Sequence, residues 1–219
     1  DLMVQINGIV NEYIHVEKPD QEAVPSRQFD ISKIDFDLLS REFAHTRRKN
    51  LLLRDLDELV NQQLAKMLFA NPQRIDYYDR YQEIIDAYNA EQNRATIEKT
   101  FMDLMELANS LDTEQQRYVR EGFSSDEELS VYDLLFSENL TKQEIETIKK
   151  VSVDLLTKIK QQIAKLDHWT DKQETKAIVD NLIRNTLWQE LPNSYDVSDI
   201  QTYQKKIYEY VYMRYPEVA

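Results

Sequence analysis

Residues 141–166 read TKQEIETIKKVSVDLLTKIKQQIAKL, and this stretch decides the fold class. Ile145, Ile148, Leu155, Leu156, Ile159, Ile163 and Leu166 fall on one face at the helical period, so a single amphipathic helix accounts for it. Thr141 and Glu144 stand three apart at its start. There a hydroxyl can accept from a free N–H while the carboxylate reaches back to the capping residue. Ser125 with Glu128, Asp171 with Glu174 and Ser198 with Gln201 repeat the pattern, each before a fresh apolar run. Together these pairs predict helices near 126–137, 142–166, 171–190 and 199–215. Pro192 and Pro216 lie just beyond the last two, where a chain that has stopped being helical tolerates them.

The same period extends upstream. Asp35 is placed to cap a helix carrying Phe36, Leu39 and Phe43. Residues 50–70 carry Leu52, Leu56, Leu59, Leu64, Met67 and Leu68 and stop at Asn71-Pro72. Residues 75–89 carry Tyr78, Tyr81, Ile84, Ile85 and Tyr88, and Thr96 opens a segment with Ile97, Phe101, Leu104, Met105, Ala108 and Leu111. Thr113 with Gln116 predicts a short restart, and Gly122 suits the left-handed residue that ends a helix. The expectation is an all-α chain, an irregular array of about eight to nine helices without a repeat or a sustained heptad. Residues 1–16 form one amphipathic stripe and are expected to continue a helix from an upstream domain. Residues 17–33, holding Pro19 and Pro25, read as a linker. A helical subdomain over 34–137 and a C-terminal one over 138–219 complete the expected layout.

Composition narrows function. The chain has 219 residues and two glycines, where an average composition supplies roughly 15. Two glycines cannot build a phosphate loop, a dinucleotide turn or a nucleophile elbow. No cysteine is present, so there is neither a disulfide framework nor a thiolate metal site. No apolar run is long enough to span a bilayer and no signal-peptide pattern opens the chain, so no membrane is expected and the expected location is the cytoplasm. Asp1 stands where an initiator Met is absent, which reads as a piece of a longer protein.

The formal net charge is −13. Residues 71–140 hold 16 acidic and 6 basic side chains, whereas 41–70 and 141–166 are slightly basic. Arg47, Arg48 and Lys49, with Lys142, Lys149 and Lys160, are therefore the candidate DNA contacts. The competing readings are a cationic helix terminus for the first three and lysines snorkelling around a buried seam for the others. Asp126, Glu127 and Glu128 suit the first turn of a helix, and Asp55, Asp57 and Glu58 read as a solvated face. His15, His45 and His168 share no metal-binding spacing, so neither catalytic nor metal residues, and no cofactor, are assigned to this chain. The unusual signal is aromatic. There are 13 tyrosines, and Trp169, Trp188, Tyr208, Tyr212 and Tyr215 crowd the last part of the chain. Exposed Tyr and Trp are favoured at protein interfaces, which makes these five the candidate partner-docking residues.

The order of segments also carries a resemblance. Ile34-Asp35-Phe36 runs to Phe43. Asn71-Pro72-Gln73-Arg74 leads to Ile84-Ile85-Asp86-Ala87-Tyr88-Asn89. Glu121-Gly122-Phe123-Ser124-Ser125-Asp126-Glu127-Glu128-Leu129 is followed by Tyr132-Asp133-Leu134-Leu135, and His168-Trp169-Thr170 precedes a long helix. This succession, from about residue 34 to about 215, resembles the C-terminal helical region of the R (restriction, HsdR) subunit of type I restriction–modification enzymes. The resemblance implies an assembly domain that is not itself an enzyme. Its parent would be an ATP-dependent type I site-specific deoxyribonuclease that cleaves DNA after translocation. It further implies partners: the upstream motor domains of the same chain, the methyltransferase (M and S) subunits, and DNA through the complex. ATP and Mg would be bound by the parent, in parts this chain does not contain. The alternative is a stand-alone helical regulator binding protein or DNA, or an acidic mimic of DNA, suggested by the acidic 71–140 block.

Overall fold

The computed structural model describes residues 34–216 except Gln92. The expected helix 1–16, the linker 17–33, and His15 lie outside the described residues. Within them the chain forms nine α-helices and a 3-10 turn, with no strand. No helix among them is long and apolar enough to cross a membrane. The chain packs as two units, dividing between Arg117 and Tyr118. The division falls there rather than after residue 137 because the helix at 126–135 packs on the one at 142–163.

The first unit holds α1 (Phe36–His45), α2 (Lys49–Ala70), a 3-10 turn (Pro72–Arg74), α3 (Ile75–Ala90) and α4 (Arg94–Gln115). Asp35 caps α1, accepting from the Leu38 N–H at 2.9 Å. α2 stops where Pro72 removes a donor. Asn71 closes the end by donating its N–H to the Met67 carbonyl, and its side chain accepts from Gln73. α4 starts two residues before the expected Thr96, because Asn93 takes the Thr96 N–H at 2.9 Å. It also runs through Thr113 without the expected restart. The Thr113 hydroxyl bonds back to the Asn109 carbonyl, so it cannot cap a new helix. Burial of Leu104, Leu107, Ala108 and Leu111 keeps the turns on either side continuous. The core lies between α2 and α4, with Phe43 of α1 stacked on Phe101 at 3.6 Å between centroids.

The first unit buries polar chemistry that the local pattern did not announce. Glu114 accepts from Arg74 Nε at 3.1 Å and from Arg117 Nη1 at 2.9 Å. Asp57 is half-buried and accepts from the Tyr81 hydroxyl at 2.8 Å, which corrects its reading as part of a solvated face. Burial raises its pKa above the usual carboxylate range even though that hydrogen bond opposes the shift.

The short α5 (Arg117–Arg120) spans the division and ends at Gly122, whose φ is +84°. Phe123 N–H reaches the Tyr118 carbonyl at 2.8 Å and Gly122 N–H the Val119 carbonyl at 3.1 Å, a Schellman closure. Then come α6 (Asp126–Leu135), α7 (Lys142–Ile163), α8 (Gln173–Glu190) and α9 (Val197–Arg214). Each of these four packs on two others: α6 on α7, α7 on α8, α8 on α9, and α9 back on α6. Leu129, Leu135, Ile148, Leu155, Ile159, Ile183, Leu187, Ile207 and Val211 fill the interior.

The start of α7 carries the full Thr141–Glu144 capping box. Ser125 caps α6, but Glu128 reaches back to the N–H of Ser124. The other two pairs do not cap. Lys172 precedes α8 without a side-chain cap, and Asp171 sits in a turn, its N–H on the His168 carbonyl. At α9 the box is Asp196 with Asp199, two residues ahead of the expected Ser198 and Gln201.

Candidate protein-interaction surface

The aromatic segment builds from the turn between α7 and α8. His168 has a φ of 45°, the left-handed region, and reverses the chain there. The reversal drives Trp169 inward until it is 1 % exposed. Its indole Nε1–H donates to the Tyr215 carbonyl at 2.6 Å. Tyr208 and Tyr212 meet the indole edge to face, with centroids 6.2 and 5.7 Å away. Thr175 fixes the turn by donating to the carbonyl oxygens of Trp169 and Lys172. Trp169 is thus a core residue that clamps the end of α9 to the start of α8, not a docking residue. Tyr208 is half-buried beside it, and burial raises its pKa.

Tyr215 also turns inward. Its ring lies under Lys160 Nζ at 5.4 Å and edge-on to Tyr210 at 6.4 Å. Lys160 pairs with Glu127, and Arg214 Nη2 lies 3.7 Å from the same carboxylate. Burial by itself would raise the Glu127 pKa; Lys160, Tyr215 and Arg214 outweigh it and hold the group below the usual carboxylate range. Burial pushes the Tyr210 hydroxyl up to about 12 and raises the Tyr215 hydroxyl as well. Glu127 therefore does more than complement a helix dipole: it joins α6, α7 and α9. No local signal marks that role, because its partners are remote in sequence.

Of the five aromatic candidates, two are exposed. Tyr212 is 39 % exposed with Lys176 over its ring at 5.6 Å, and Trp188 is 49 % exposed. On α8 Trp188 shares a face with Ile178, Asn181 and Asn185, all exposed, at i, i+3, i+7 and i+10 spacing. Ile178 escapes a sequence reading because it neighbours the buried Val179, and periodicity alone cannot say which of two adjacent apolar residues points in.

The basic candidates separate as well. Lys49 pairs with Glu98 at 2.6 Å and lies over Phe43. Lys149 donates to the Glu121 carbonyl at 2.9 Å and its carboxylate at 3.1 Å, above Phe123 and Tyr132. Lys160 is held by Glu127. Three of the six are thus engaged in ion pairs within their own unit. Arg47, Arg48 and Lys142 are exposed, Arg48 at the N-cap of α2 and Lys142 in the first turn of α7. Among the described residues no group of three or more His, Cys, Asp or Glu side chains is placed to hold a metal ion.

The fold defines a class: an all-α module of two helical units whose buried polar groups tie helices together. Residues 5–215 match the family described as type I restriction enzyme HindI endonuclease subunit-like, C-terminal, and the chain belongs to it. The match begins ahead of the described residues and takes in most of the 1–33 stretch. No curated protein and no solved structure matches the chain.

Proposed function

We propose that this chain is the assembly domain of an R-like subunit, docking an ATP-dependent motor and nuclease to a methyltransferase core. The observation that carries the reading is the solvent face of α8, where Ile178 and Trp188 stay exposed although the interior of the unit is filled. A large aromatic and a branched aliphatic left in water on a rigid helix are what a docking face offers. The mechanism is positional. The Trp169 indole ties the turn before α8 to the end of α9, and the Glu190–Lys158 pair ties the end of α8 to α7, which fixes the position of the helix within its unit. In this reading ATP and Mg belong to motor domains elsewhere in the polypeptide, DNA is met through the complex, and Arg47, Arg48 and Lys142 are the DNA-facing cations. Competition tests it. An excess of this chain should displace the intact R subunit from the methyltransferase in a sedimentation assay. Undiminished R-subunit binding would count against the assembly role.

A further inference from the structure

An open groove runs between the first turn of α1 and the middle of α4. Phe36, Met102 and Met105 are the larger apolar side chains that line it, beside the carboxylates of Asp37, Asp103 and Glu106. Among the described residues no lysine or arginine lines it. Asp35, also at the groove, is already used as the cap of α1. Glu106 holds Arg80 at 3.0 Å, while Asp37 and Asp103 have no ion pair among the described residues. Met102 is 54 % exposed in the middle of a long helix and lies outside the buried core cluster. Methionine is the apolar side chain best able to adapt to a partner's shape.

From this we propose that the groove docks an amphipathic helical segment of a partner protein, one whose apolar face is flanked by lysine or arginine. The apolar lining takes the apolar anchors and the carboxylates take the flanking cations, a charge pattern that repels acidic helices. The chain's own amphipathic stretch fits poorly, since residues 1–16 contain Asp1 and Glu12 and neither lysine nor arginine. The proposal goes beyond the docking role of α8 and does not depend on it.

The test titrates the full chain into a dye-labelled helical peptide of leucine and lysine, with its leucine–glutamate counterpart as control, by fluorescence anisotropy. Saturable binding of the Leu/Lys peptide alone is expected. Met102→Lys should weaken it about tenfold, equivalent to 1.4 kcal/mol, and Val119→Lys, at an exposed apolar residue outside the groove, should leave it unchanged. Met102 is exposed, so its replacement keeps the fold, which circular dichroism checks. Asp103→Asn should also weaken binding and reduce its salt dependence. Equal affinity of the Met102→Lys variant and the parent would reduce the interaction to general attraction by an acidic surface and overturn the proposal. So would the absence of saturable binding. A concentration-dependent dimer abolished by Met102→Lys would overturn it too, by assigning the groove to a second copy.

Discussion

Glu127, in the first turn of α6, pairs with Lys160, in the last turn of α7, and the same carboxylate faces Arg214 of α9. The pair sits where both helix dipoles favour it, an anion at an N-terminus and a cation at a C-terminus.

The Glu127 pKa is lowered from 4.5 in the folded chain. A carboxylate with a depressed folded pKa contributes stability that is present above the unfolded value and lost as pH falls through the folded one. Glu127→Gln should therefore cost about 1–2 kcal/mol at neutral pH. It should also flatten the acid limb of the stability curve below about pH 4.5. Urea melts across that range measure both effects.

Trp169 and Trp188 give opposite optical signals. Trp169→Phe keeps a ring but removes the donor to the Tyr215 carbonyl, an expected loss of about 1–3 kcal/mol for the orphaned acceptor. It leaves Trp188 as the sole emitter, so emission should move to the red and become open to acrylamide quenching. Trp188→Phe should leave stability within about 0.5 kcal/mol, as an exposed site. The remaining emission should be blue-shifted and protected.

Gly122→Ala isolates backbone strain. A Cβ there meets nothing within 4 Å, but φ is +84°. The cost should be about 1–2 kcal/mol, the left-handed penalty alone, read as a shifted denaturation midpoint with unchanged slope.

Glu114→Gln should be the most damaging polar change in the first unit, at roughly 3 kcal/mol. Arg74 is 3 % exposed and loses the charge it faces. Calorimetry should show a lowered Tm.

The readable parts of the fold are those written locally. The Thr141–Glu144 box and the apolar seam of α7 lie within one stretch of chain, so its start and buried face follow from it. The start of α9 was harder because Asp196–Asp199 and Ser198–Gln201 fit the same pattern two residues apart. The earlier pair wins and extends the helix toward the Pro192 turn. Thr113 fits a cap by local pattern, but its hydroxyl bonds within α4 instead. The clamps were illegible for a different reason: Glu127 meets Lys160 across 33 residues and Arg74 meets Glu114 across 40. No short-range period records such pairs. Trp169 shows the limit for the interaction surface, since composition ranked it with Trp188 and only the His168 turn decides which of the two is buried.

The exposed face of α8 is proposed to dock the methyltransferase core. The most direct test is the affinity of the full R subunit for that core when Ile178→Asp and Trp188→Asp are combined, measured by isothermal titration beside the unaltered subunit. Both side chains are exposed, so the fold should persist. Affinity should fall by about a hundredfold or more, as for loss of a hot spot, with circular dichroism unchanged. Affinity equal to that of the unaltered subunit would contradict docking through α8.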